Sequence, residues 1–67
     1  MRNEVIKEWL ATLYDDAIAE AKVTIENERL WANGSGSEME ASVHLQNIEI
    51  QEEYIEVLEN LKNEIQN

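Results

Sequence analysis

Apolar residues recur every three or four positions along almost the whole chain, and the rhythm is broken only once. In the first half, Ile6, Leu10, Leu13, Ala17 and Ala21 keep that spacing, which is one face of an α-helix. Trp9, Tyr14, Ile18 and Ile25 widen the face beyond a narrow two-stranded seam. Thr24 and Glu28 fall where apolar residues are wanted, and Leu30 and Trp31 restore the pattern. Asn3 can cap the start, with Glu4 in the first turn. The spacing predicts a helix over about 3–33, roughly 45 Å long. In the second half, Val43, Asn47, Ile50, Tyr54, Val57 and Leu61 alternate spacings of four and three. That is a heptad-like seam, broadened by Met39, Leu58 and Ile65, and it predicts a helix over about 37–66.

The break between them is Asn33-Gly34-Ser35-Gly36-Ser37. Asn and Gly both tolerate the left-handed conformation that commonly ends helices. Ser37 to Glu40 has the Ser-x-x-Glu spacing of a capping box, and Ser35 to Glu38 repeats it. Glu38 and Glu40 place negative charge at the positive end of the second helix. Stop and start signals this close predict a turn over 33–37 and antiparallel neighbours rather than a flexible linker. A hinge this short also permits a swapped dimer in which the two helices separate.

The expected fold is all-α: one domain over 1–67, an antiparallel two-helix hairpin that dimerises into a four-helix bundle. In the register that closes around Ser35, Ile50 and Tyr54 face Ala21 and Ala17, large against small. Trp9 and Ile6 then meet Leu58, Leu61 and Ile65 at the open end, with Trp9 in the core. Leu45, Ile48 and Ile55 point away from this seam, and Val5, Val23 and Leu30 form a similar second line on the first helix. A lone hairpin would leave both lines in water, so a second copy is expected to cover them. The residues expected to carry self-association are Trp31, Leu45, Asn47, Ile48 and Ile55. Asn47 is given the role of a seam polar residue that fixes register and oligomeric state.

Size sharpens that expectation. A chain of 67 residues buries only about 60% of its unfolded surface even when compact, and no cysteine supplies a disulfide or thiolate site. Self-association is the remaining route to a sufficient core. No apolar run reaches the length of a membrane span, and no apolar signal core follows Arg2, so a cytoplasmic protein without membrane contact is expected.

Charge is unevenly spread within a net of −10. Residues 1–33 carry four bases against seven acids, a net of −3, and residues 37–67 carry one base against eight acids, a net of −7. Phosphate backbones and anionic membranes repel such a chain, which argues against direct nucleic-acid binding. Glu49, Glu52, Glu53, Glu56 and Glu59 form a stripe opposite the proposed second-helix seam. An acidic stripe is usually a solvated face; as a functional surface it would dock a partner protein with a basic surface. Acids three or four residues apart rise roughly 4.5–6 Å, within about a factor of two of the DNA phosphate spacing. A mimic of nucleic acid, blocking the basic groove of a nucleic-acid-handling or defence protein, is the alternative reading.

Catalytic chemistry finds little support. Glu49-x-x-Glu52 and Glu53-x-x-Glu56 have the spacing of metal-binding carboxylate pairs, but they lie away from the seam. Glu40 and His44 are four apart, not the three of di-iron bundles, and His44 is unique and close to the hinge. Asp15-Asp16 is an isolated pair, and no Ser-His-Asp set, phosphate loop or dinucleotide fingerprint is present. No enzyme activity, metal or cofactor is expected. Acidic helical hairpins occur among regulatory phosphatases of sporulating bacteria, but their Ser-Gln-Glu-Leu-Asp signature is absent here. Size and charge alone are similar to those of phage-encoded inhibitors, so no family is assigned. The reading is a small acidic interaction and regulatory module that self-associates and binds another protein.

Overall fold

The structure is a computed structural model and describes residues 2–66. Two helices account for nearly all of it: α1, Arg2–Gly34, and α2, Glu38–Gln66. They run antiparallel and pack along their length, forming a helical hairpin with extents of 55 × 15 × 9 Å. Its radius of gyration of 15.7 Å exceeds the roughly 11 Å of a compact globule of this length. The molecule is a thin rod with little interior: among the described residues no large side chain falls below 2% exposure.

The turn is built by its serines. α1 continues through Asn33 and Gly34, and no described residue has a positive φ, so the expected left-handed stop is not used. Instead the Ser35 amide donates to the Ala32 carbonyl at 3.4 Å, tightening the last turn. The Ser35 hydroxyl then organises the bend: it donates to the Ser37 carbonyl at 2.9 Å and accepts from the Ser37 amide at 3.3 Å. Ser37 caps α2 as its sequence spacing suggests, its Oγ accepting from the Glu40 amide at 3.2 Å. The return arm of the capping box goes elsewhere: Glu40 Oε2 lies 3.4 Å from Ser35 Oγ, sharing the single hydroxyl proton whose shorter bond goes to the Ser37 carbonyl. Both acids of that first turn stand where the helix dipole favours them.

Closure of the hairpin uses a regular strip on each helix. On α1 the buried and half-buried positions include Ala11, Tyr14, Ile18, Ala21, Ile25, Glu28 and Ala32. On α2 they include Ala41, His44, Ile48, Gln51, Ile55, Leu58, Lys62 and Ile65. Both strips alternate steps of three and four, so each is a heptad seam. Cross-links near both ends set the register. His44 reaches Glu28 near the turn, and Lys62 Nζ donates to Asp15 Oδ1 at 2.6 Å towards the open end. This brings Ile25 level with Ile48, and Ile18 level with Ile55.

The seam on α2 is therefore not the one expected from the apolar rhythm. Val43, Ile50, Tyr54, Val57 and Leu61 are all exposed, Ile50 at 59%, whereas Ile48 is buried at 5%. Ile50 and Tyr54 do not face Ala21 and Ala17 across the seam. On α1, Ile18, Ala21 and Ile25 are buried as the wide face suggests, but Ala11 replaces Ile6, Leu10 and Leu13 at the contact. Trp9, expected in the core, is 66% exposed, and Met39 is also outside. The reason is geometric. A rod meeting one partner buries only a narrow strip, and small residues such as Ala11 and Ala21 let the helices approach there.

Candidate interaction surface

The antiparallel arrangement decides what lies beside the seam. Two helices of opposite direction are related by an approximate two-fold axis, so the same flank of each heptad falls on the same side of the hairpin. On one side α1 carries Ile6, Leu10, Leu13, Ala17, Thr24 and Trp31, and α2 carries Val43, Asn47, Ile50, Tyr54, Val57 and Leu61. The result is an apolar flank running much of the length of the rod, with Trp9, Val23 and Leu30 along its rim on α1. The opposite side is polar: Glu8, Asp15, Lys22 and Arg29 from α1 stand beside Glu38, Glu52 and Glu59 from α2.

Two polar groups on the apolar flank, those of Thr24 and Asn47, are bonded within the chain. The Thr24 hydroxyl donates back to the Glu20 carbonyl at 3.1 Å. Asn47 Nδ2 donates to Glu28 Oε1 at a long 3.5 Å. Glu20 and Asn27 are the polar residues on the α1 side of this surface.

Near the turn, the seam holds a polar cluster. Glu28 is 8% exposed, a carboxylate buried at a position that the heptad reserves for apolar side chains. His44 Nδ1 and Glu28 Oε2 are hydrogen-bonded at 2.5 Å across the seam. Asn47 takes the other oxygen, and no buried side-chain nitrogen or oxygen among the described residues lacks a partner. The Trp31 ring lies over the imidazole, with centroids 5.8 Å apart and planes tilted by 47°. The cluster cross-links the two helices beside the turn. Reading the helices one at a time misses this pairing. The available signal is that Glu28 and His44 stand equally far from Gly36, one before it and one after.

The five residues expected to carry self-association separate. Ile48 and Ile55 lie in the hairpin's own seam, and Asn47 is half-buried and tied to Glu28 of the same chain. Trp31 and Leu45 are exposed, but Trp31 stands on the apolar flank and Leu45 on the polar one. A second apolar line does exist on α2, but it is Val43, Ile50, Tyr54, Val57 and Leu61, the line whose spacing predicts the seam. Glu49, Glu52, Glu53, Glu56 and Glu59 are all exposed on the outer and polar sides of α2.

Among the described residues, no group of three or more His, Cys, Asp or Glu side chains is arranged to hold a metal ion. No helix of the described residues is long and apolar enough to cross a membrane. No family model matches the chain, and no curated protein or solved structure shows significant similarity to it.

Proposed function

We propose that this chain is a non-enzymatic interaction module: copies associate through the apolar flank, and the acidic outer surface of α2 then engages a second protein bearing a basic surface. The observation that carries this reading is the segregation of the exposed surface. Large apolar side chains gather on one side of the rod, and the glutamates of α2 at 49, 52, 53, 56 and 59 lie away from it, while Glu40 and Glu64, near the two ends of α2, fall on the apolar side. An exposed apolar surface of this extent, rimmed by polar residues, is characteristic of an interaction site. The accessible area points the same way. The chain exposes 5382 Å², whereas a compact monomer of 7.8 kDa exposes about 4,400 Å². The surplus of about 1,000 Å² exceeds the roughly 800 Å² that each partner contributes to a standard interface.

Sedimentation equilibrium over a range of micromolar concentrations tests self-association. The expected result is a dimer that Ile50→Asp converts to monomer, and a well-folded monomer for the parent chain would overturn the reading. The acidic surface supports a second reading, a nucleic-acid mimic, because five glutamates stand exposed within eleven residues of one helix. Duplex DNA discriminates the two once a partner has been recovered. A mimic's target is displaced by competing duplex and is lost on Glu52→Lys/Glu56→Lys, with steep salt dependence. A partner held at a site other than a nucleic-acid groove stays bound when duplex is added.

A further inference from the structure

We infer that the second copy lies with its turn at the same end as the first, its two-fold axis parallel to the helices, so that α1 of each chain covers α2 of the other. The inference rests on the self-association proposed above and adds its geometry. Two flat apolar flanks can meet face to face about an axis along the rod or about an axis across it. Both choices make every neighbouring helix pair antiparallel, so loop constraints do not decide between them. Side-chain size does.

The flank is not evenly thick. Its middle on α1 is thin at Ala17 and Thr24, with the longer Glu20 between them, while its middle on α2 is thicker, made of Ile50, Tyr54 and Val57. The register of the hairpin, fixed by Glu28 with His44 and Asp15 with Lys62, brings these two sets to the same height. An axis along the rod therefore lays thin on thick, with Ala17 over the partner copy's Val57 and Thr24 over its Ile50. That is the alternation close packing needs. The one charge in this middle stretch, Glu20, comes level with a tyrosine hydroxyl, that of Tyr54, which can donate to it. Asn27 comes level with Asn47, amide to amide.

An axis across the rod does the reverse. It lays α1 on α1 and α2 on α2, so Tyr54 and Val57 crowd their own copies while Ala17 leaves a gap. It also brings two Glu20 carboxylates together at the centre of an apolar interface, where like charges are strongly disfavoured. In both arrangements the acids of α2 at 49, 53 and 56 face outward.

The test is a distance between copies in the full chain, which has no native cysteine. Gly36 has open space around it and no positive φ, so Gly36→Cys accepts a nitroxide label without disturbing the turn. Pulsed dipolar spectroscopy on the dimer should give a label separation of about 20–30 Å, the width of two packed helices plus linkers. Asn33→Cys, at the exposed end of α1, should report the same range and guards against a local defect at the turn. A separation near the 55 Å length of the rod in both variants would overturn the same-end geometry and leave self-association standing. Absence of any dipolar signal, with monomers by sedimentation, would overturn both.

Discussion

The seam and the apolar flank are neighbouring strips of the same two helices, yet they are built from different residues. The seam is made mainly of alanine and isoleucine, with Tyr14 and Leu58, and is interrupted by Glu28, His44, Gln51 and Lys62. The flank carries Leu10, Leu13, Trp31, Ile50, Tyr54 and Leu61, bulkier side chains that the hairpin itself leaves exposed. Burying one large aliphatic or aromatic side chain contributes about 1.5–3 kcal/mol, so most of the available hydrophobic driving force lies outside the seam. Closure of the hairpin thus combines close approach with polar matching, while the larger apolar reserve stays outside the seam. A rod with so thin an interior should owe much of its stability to whatever covers the flank.

The sharpest way to probe this contrast is to delete the same atoms from each strip. Ile25→Ala removes a buried seam side chain and should cost about 2–5 kcal/mol in chemical denaturation followed by circular dichroism. Ile50→Ala makes the same change on the flank. It should approach the cost of Ile25→Ala at concentrations where the chain is dimeric, and fall towards zero on dilution. A concentration-independent, negligible effect would mean the flank is never covered.

Next in size is the polar cluster. Glu28→Ala leaves His44 Nδ1 and the amide of Asn47 without their partner, and should cost about 1–3 kcal/mol. Glu28→Leu restores apolar bulk and should recover part of that loss, since replacing a buried polar group by a packed apolar one is often neutral. A destabilisation equal for both variants would show that the carboxylate itself, not the filling of the seam, is what the turn end requires.

Smaller effects belong to the turn and the open end. Gly34 sits in helix with open space at its Cβ position, so Gly34→Ala should stabilise by about 0.4–1 kcal/mol through the unfolded chain. A loss on the same substitution would place Gly34 in a conformation other than the helical one. Asp15→Asn removes the ion pair to Lys62, but Asp15 is 57% exposed, so the change should stay below about 1 kcal/mol and shrink with added salt.

Much of this architecture was open to reading from single residues. The serines and glycines between 33 and 37 mark the turn, Ser37 and Glu40 mark the start of α2, and the unbroken three-four rhythm marks both helices. The left-handed stop at Asn33-Gly34 failed as an expectation because Ser35 ends α1 by its own hydrogen bonds. The seam on α2 was misplaced for a different reason. Val43-Ile50-Val57 and Ile48-Ile55 are both apolar lines with a seven-residue repeat, and a rule that favours the greasier line selects the first.

The sequence by itself determined two long helices, their ends, a tight reversal and a strongly acidic second half, because propensity, capping and charge act over a few neighbouring residues. Only the tertiary structure decided which of two adjacent apolar strips turns inward. Periodicity states that a strip exists but not what faces it. The choice depends on groups more than a dozen residues apart: small residues on α1 that admit close approach, and Glu28 and His44, each a defect in its own helix, that become partners once the helices meet.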